Sequence, residues 1–391
     1  MTSEGPVAPP FRIRTLTLGI ALAAVDDLSP ATDALAALGE ARERFARAGF
    51  EVQTIRLATS LLQTGRRDQT SMQHLQALDR LAAGRGALVS LGPLPCDRET
   101  AEATAGWLAE LNETTGATHL SVPIAGERGV NRAGVLLAAQ VMRAVARPFD
   151  GGLGNFRFGA AAGVPSGTPF FPVAWHGGGP PTLTIGVEGA PIVRHACEGA
   201  TLESVPDRVA AVLDGALTPV DRLARATAAH LGWHYAGIDP SPAPLADRSI
   251  VAAVEAVTRR PFGEMSTLSA CAAITAGLRT LAVPTCGYAG LMLPVLEDAV
   301  LAARVVERRV TLQQLLLYSA VCGTGLDVVP LPGDTSVSGL SAILTDVAAL
   351  SVRLRKPLAA RLLPVPGLKA GDVTSFDDPY LVNTAVLAAT T

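Results

Sequence analysis

Aromatic residues make up only 4% of this chain, and lysine is nearly absent beside arginine. No basic stretch is long enough to hold a nucleic-acid backbone or a membrane surface, and 35 acids against 32 bases leave a net charge of −3. Cysteine is scarce too. Cys96, Cys197, Cys271, Cys286 and Cys322 are odd in number, widely spaced and free of any C-x-x-C pair, which argues against a disulfide framework and a structural zinc site. Long apolar runs are missing: "LTLGIALAAV" spans ten residues, where a membrane helix needs about 20. No charged stretch directly precedes it and no cleavage site follows, so a signal peptide is not expected and a cytoplasmic protein is. Neither a Walker loop nor a G-x-G-x-x-G after a first strand is found, so no nucleotide cofactor is expected.

What is present is an Ala-, Val- and Leu-rich chain, 49% hydrophobic, with alternating periodicities. "RTLTLGIALA" reads as a strand. Ser29 and Pro30 open a helix as N-cap and first-turn proline, Ala31, Leu35, Leu38, Ala41, Phe45 and Ala48 form its apolar face, and Gly49 ends it. The helix–glycine–strand unit recurs along the chain, and Thr311 caps a later helix. Nine to eleven strands follow from this reading, joined by helical crossovers in a parallel-rich α/β architecture. Residues 1–11 read as a flexible Pro-rich arm, and residues 12–391 as a single α/β unit.

Three Gly/Pro-punctuated loops stand where strands end and sites form: "WHGGGPP", "TCGYAGLMLP" and "LPGDTS". His176 precedes three glycines. It is either a general acid or base that the glycines leave approachable, or a packed histidine at a strand end. Glu188 in "TIGVEGA" is a rim residue or a site carboxylate that orients His176 or shares a metal with it. Asp334 and Thr335 in "PGDTS" cap a helix, or leave its N–H groups to bind an anion; Ser266 and Thr267 offer the same choice. Asn155 and Arg157 in "GNFRF" share a strand face, where Arg157 clamps a carboxylate or lies on the surface. Glu297 and Asp298 read as charges at a helix N-terminus. His230 and His234 look like a helix end and a strand rather than a metal pair.

Several strings together resemble one family: "IRTLTLGIAL", "GNFRF", "PFFPVAWHGGG", "LTIGVEGAPIV", "AGIDPSPAP", "GYAGLMLPVLEDAVLA", "SAVCGTGLDVVPLPGDTS" and "LLPVPGLKAGD". Their order from about Phe11 onward is similar to that of the pyruvate formate-lyase-like family called domain of unknown function 711. The resemblance implies a barrel of about ten strands like that of glycyl radical enzymes. It ranks Asn131, Asn155, Arg157, His176, Glu188, Asp239, Glu297, Asp298, Cys322, Asp327 and Asp334 as motif positions. Radical chemistry is not implied, because the tail after Asp372 holds no glycine.

The expectation is a non-radical enzyme working on a small anionic metabolite by acid–base chemistry, as a lyase, isomerase or hydrolase. His176, Glu188 and Asp334 are its catalytic candidates. Asn131, Asn155, Arg157, Ser266, Thr267 and Thr335 are its ligand-binding candidates. A divalent metal on His176, Glu188 and Asp334 is a sub-reading, and a homo-oligomer, with a dimer favoured, is expected. The rival is a non-catalytic regulatory protein binding an amino-acid-like effector. Cys322 is expected to be a reduced structural thiol, and the segments at His176 and Asp334 are expected at one face of the sheet.

Overall fold

Strand β1 (Arg12–Gly19) sends Leu16 and Leu18 to one face and Thr15 and Thr17 to the other, as a two-residue period requires. The same division runs through β2 (Val52–Ala58), β3 (Ala87–Pro93) and β4 (Thr118–Gly126). Ile55, Leu57, Val89, Leu91, Leu120 and Val122 share the apolar side, while Thr54, Arg56, Ser90, His119 and Ser121 share the polar side. The structure is a computed structural model that describes residues 11–22, 24, 26–61, 67–94, 101–147 and 149–389. Nearly all of the arm expected at residues 1–11, and Cys96, lie outside the described residues.

Helices cover the apolar face. In α1 (Ser29–Arg47), Ala31, Leu35, Leu38, Ala41 and Phe45 join the strand leucines in one core. Each such large side chain, fully buried, stabilises the fold by about 1.5–3 kcal/mol. Ser29 does not cap this helix. Its N–H donates to Asp27 Oδ1 at 2.9 Å, and Leu28 holds the N-cap position. Crossovers α2 (Gln69–Ala83) and α3 (Ala101–Glu113) lead to β3 and β4. The short β5 (Gly129–Val130) and α4 (Arg132–Val145) follow. A 3-10 segment (Asp150–Arg157) then delivers β6 (Phe158–Ala162).

The second half brings β7 (Thr182–Glu188), α5 (Ala190–Cys197), α6 (Val205–Leu231), β8 (His234–Asp239), α7 (Val251–Thr258) and α8 (Thr267–Leu278). It ends with α9 (Ala299–Val306), α10 (Leu312–Tyr318), β9 (Gly325–Pro332), α11 (Val337–Leu354) and β10 (Leu358–Val365). By length and apolar content α11 could cross a membrane, but Leu340, Leu344, Val347 and Ala348 bury one of its faces in the core.

The sheet has ten strands in the order β8-β7-β1-β2-β3-β4-β6-β10-β9, with β5 on β4. The count falls within the expected range; the parallel-rich barrel does not. β7 pairs with β1 and β10 with β6 antiparallel, so the sheet is mixed. Nor is it closed. Edge strands β8 and β9 make one isolated bridge each, Ile238 to Thr285 and Asp327 to Pro294, to the segment running between them. Pro284 and Pro294 lack the N–H a ladder needs, which keeps that segment from becoming a strand.

Of the antiparallel pairings, β7 with β1 and β10 with β6 decide which loops meet. β1 and β9 run in opposite directions, so the end of β9 at Asp334 lies at the opposite end of the sheet from the end of β1 at Gly19.

Candidate functional site

His176 packs against Gly19, where a Cβ would lie 2.6 Å from its Nδ1. His176 is 4% exposed and its Nε2 is buried without a partner among the described residues. Burial pushes its pKa down, against a hydrogen bond with the Gly179 backbone. The glycine that admits the ring is therefore Gly19. Gly178 and Gly179, at φ +97° and +86°, turn the chain back toward the ring instead. Glu188 faces Arg12 at the other end of β1, seven residues and about 23 Å from Gly19 along the strand. It is fully buried and accepts from Arg248 Nη1 at 2.7 Å. The expected His176–Glu188 pair thus does not form. Asp334 is exposed in the turn after β9, at the end away from His176. These three residues cannot share one metal ion, and among the described residues no three His, Cys, Asp or Glu side chains cluster as ligands.

The other candidates hold the backbone. Asn131 caps α4, accepting from Gly134 N at 3.1 Å and donating to Pro123 O at 2.9 Å. Asn155 donates to Met142 O at 3.0 Å. Thr335 bonds back to Pro332 O at 2.7 Å, while Ser336 rather than Asp334 or Thr335 caps α11. Ser266 sits before α8 at φ +79° without a capping bond, and Thr267 accepts from Gly263 N at 3.1 Å. Arg157 does reach a cavity, but its Nη1 donates to Thr118 O at 3.1 Å and its Nη2 to Asn112 O at 2.6 Å.

That cavity, about 340 Å³, lies on the polar face of the sheet, within the roughly 300–1,000 Å³ usual for small-molecule sites. The stretch "GTPFFPVAWH" lies across this face. Pro169 O accepts from Thr17 Oγ1 at 3.0 Å and Ala174 O from Ser90 Oγ at 2.6 Å, which sets Phe170 and Phe171 into the wall. Tyr288, Met292 and Glu297 come from the segment between the sheet edges, and Asp378 and Tyr380 from the C-terminal tail. Asn383 ties off that last loop, accepting from Phe376 N at 2.7 Å and donating to Phe376 O at 3.1 Å.

Four guanidiniums face three carboxylates here: Arg14, Arg56, Arg157 and Arg361 against Glu297, Asp327 and Asp378. Arg361 of β10 donates through Nε to Asp327 and through Nη2 to Glu297 at 3.1 Å. Burial lowers its pKa, but the two carboxylates outweigh burial and hold it raised. Glu297 is raised, chiefly by burial; Arg361 and Arg14 oppose the shift and Asp327 adds to it. Arg14 Nη1 donates to Gln53 at 2.8 Å and Nη2 stands 4.0 Å from Glu297. Arg56 is different. It is 6% exposed, its Nε donates to Thr54 Oγ1 at 3.1 Å, and its Nη groups have no partner among the described residues. Burial, with Arg14 and Arg361 nearby, pushes its pKa down to about 9, against the pull of Glu297. His119 stands edge-on to Phe171, ring centres 5.0 Å apart. Burial and then the neighbouring Arg56, Arg157 and Arg361 lower its pKa well below the usual value, so it is neutral.

Buried acids outside the cavity fix its walls. Asp239 accepts from Tyr288 N at 2.8 Å, Ala289 N at 3.2 Å, and Ser241 N and Oγ at 3.0 and 2.6 Å. Gly287 permits this approach, at φ +67° with no room for a Cβ beside the carboxylate. The phenol of Tyr288, left without a partner among the described residues, lines the cavity. Asp298 caps α9 through Val300 N and Leu301 N, both at 3.0 Å, and also accepts from Ile250 N and Val251 N at the start of α7. This bears out the helix-terminal reading for Asp298, while its neighbour Glu297 turns into the cavity.

Arg14, Arg56, His119, Tyr288 and Arg361 were not among the sequence candidates. The signal for two of them was present: Arg56 in "VQTIRLA" and Arg361 in "LAARLLPV" are charges inside otherwise apolar strands. A buried charge is costly unless paired or used.

Residues 8–377 match the model of the family described as uncharacterised ACR, domain of unknown function 711. The chain belongs to this family. A UPF0210 protein of Pyrobaculum arsenaticum is 31% identical over 94% of this chain and 88% of its own length. One from Pyrobaculum islandicum is 31% identical over 93% and 84%, and one from Acetivibrio thermocellus 29% over 81% and 74%. None of these names speaks of pyruvate formate-lyase or ties the chain to glycyl radical enzymes.

Proposed function

We propose that this family member is an enzyme that binds a small anionic metabolite in the central cavity and acts on it by proton transfer. The observation that carries the reading is Arg56, a buried guanidinium facing the cavity with its fork of N–H groups unspent among the described residues. A desolvated cation without a carboxylate is costly, and a bound anion would offset that cost with two charge-assisted bonds. Glu297 is the proton-transferring group of this reading. Burial raises its carboxyl above the usual carboxylate range, and Arg361 orients it. Tyr288 is a hydrogen-bond donor to the ligand.

This reading moves the chemistry from His176, Glu188 and Asp334 to the cavity. The enclosure expected from a barrel is part of it, with the segment between β8 and β9 as one wall. Free Cys197, Cys271, Cys286 and Cys322 fit a reducing compartment, and the cytoplasm is the proposed location. The test has two steps. Calorimetry with small carboxylates and phosphate should give binding that Arg56→Gln weakens at least tenfold. Bound carboxylic acids incubated with the protein in D2O should then exchange a C–H proton, followed by NMR, and Glu297→Gln should stop it. Binding without exchange of any ligand would leave a binding protein, not an enzyme.

A further inference from the structure

We infer that the ligand is a monocarboxylate with an apolar body, rather than a phosphorylated or polycarboxylic compound. This rests on the reading that Arg56 receives an anion. The inference comes from which cavity charges are already spent. Arg361 is held by Asp327 and Glu297, Arg157 by two backbone carbonyls, and Arg14 by Gln53 with Glu297 alongside. Among the described residues that line the cavity, one guanidinium fork is left, and one fork matches one carboxylate. Four guanidiniums against three carboxylates, with His119 neutral, leave a single positive charge for the ligand to balance. A second anionic group on the ligand would lie near Glu297 or Asp327 without a free cation.

Most of the remaining wall is apolar, with Gln53, Thr54, His119, Thr324 and Tyr380 among its uncharged polar members. Phe170, Val173, Ala243, Tyr288 and Met292 belong to one buried cluster that opens on the cavity, and Phe171 stands beneath Arg56. A sugar phosphate would leave this apolar surface uncovered. An aryl or branched alkyl group would cover it. Asp378 accepts from the Tyr380 N–H at 2.8 Å within its own turn, and its loop lies on the C-terminal tail rather than on the strand that carries Arg56.

Isothermal titration of the intact protein with acetate, 3-phenylpropionate, L-phenylalanine, malate and inorganic phosphate tests this. The expected order has 3-phenylpropionate at least tenfold tighter than acetate, and tighter than malate, phosphate and L-phenylalanine. Arg56→Met should weaken 3-phenylpropionate at least tenfold, with a thermal melt confirming that the variant is folded. Equal affinity for acetate and 3-phenylpropionate, or a preference for malate, phosphate or the amino acid, would overturn the ligand class while leaving an Arg56-dependent anion site standing. If no anion binds in an Arg56-dependent way, both the class and the site fail. The wild-type series decides the class by itself, so a misfolded variant does not leave it open.

Discussion

The guanidinium carbon of Arg56 lies 4.9 Å from the centre of the Phe171 ring, and no acid among the described residues pairs with it. Its pKa is pushed down to about 9, so at neutral pH the folded state holds a charge it disfavours. Below its lowered pKa that penalty is present in full. Arg56→Met removes the charge and keeps an unbranched stem against Phe171. Replacing even a buried ion pair by well-packed hydrophobes is often neutral or stabilising by about 1–4 kcal/mol, and an unpaired charge has no Coulombic partner to lose. The ligand-free variant should therefore melt at or above the wild-type temperature. A marked fall in melting temperature would mean that Arg56 already has an internal role in the fold.

Asp239 fixes Tyr288 through backbone bonds, and Asp239→Asn would turn an NH2 group toward at least one of those donors. An unmet buried bond costs about 1–3 kcal/mol, and Tyr288 should lose its place in the wall. The variant should be less stable in denaturant and should bind 3-phenylpropionate more weakly than Tyr288→Phe does. Wild-type affinity in Asp239→Asn would show that the loop holds without it.

The strand and helix alternation was legible because each β-strand and its helix carry their own period, as in Leu16, Leu18, Leu35 and Leu38. Direction was not. Nothing local to "TLTIGVE" says that β7 runs against β1, and that single pairing separates Glu188 from His176. The grouping of His176 with Glu188 and Asp334 was lost for the same reason. Histidine beside glycines drew attention to residue 176, while the aromatic pair six and five residues earlier builds the cavity wall. Asp327 and Glu297 stood on the family motifs, but only Arg361 from the far end of the chain joins them.

His176 and Gly19 should behave as a packed pair. Gly19→Ala would drive a methyl to 2.6 Å from the ring nitrogen, so it should destabilise, and His176→Asn should cost about 1–3 kcal/mol. Neither should change the affinity for 3-phenylpropionate by more than about twofold, since the ring does not line the cavity. Loss of binding with an unchanged melt would return His176 to the site.

His119 supplies a pH signature. Its folded pKa lies well below 6.5, so on acidification the unfolded chain takes up this proton first. The contribution to stability is present above pH 6.5 and is lost as pH falls through that value toward the folded pKa, by up to about 1.4 kcal/mol per pH unit. Urea midpoints from pH 7.5 to 5.5 should fall more steeply for wild type than for His119→Gln. Parallel slopes would show that the ring protonates freely in the folded protein.

Glu297 has the opposite sign. Its folded pKa is raised above 4.5, chiefly by burial, so as pH rises the unfolded chain ionises first. The stability it contributes is complete below pH 4.5 and is lost as pH climbs through the folded value. Glutamine cannot ionise, so Glu297→Gln should hold its stability over that range while wild type declines. The variant should be at least as stable as wild type at pH 7, because the amide oxygen can still accept from Arg361. Removing the carboxylate also removes a negative charge beside Arg14 and Arg361, and 3-phenylpropionate should bind more tightly. Proton exchange, if Glu297 performs it, should vanish in that same tighter-binding variant. Tighter binding with exchange intact would leave Glu297 an electrostatic wall residue and place the proton transfer elsewhere in the cavity, with Tyr288 the next group to replace.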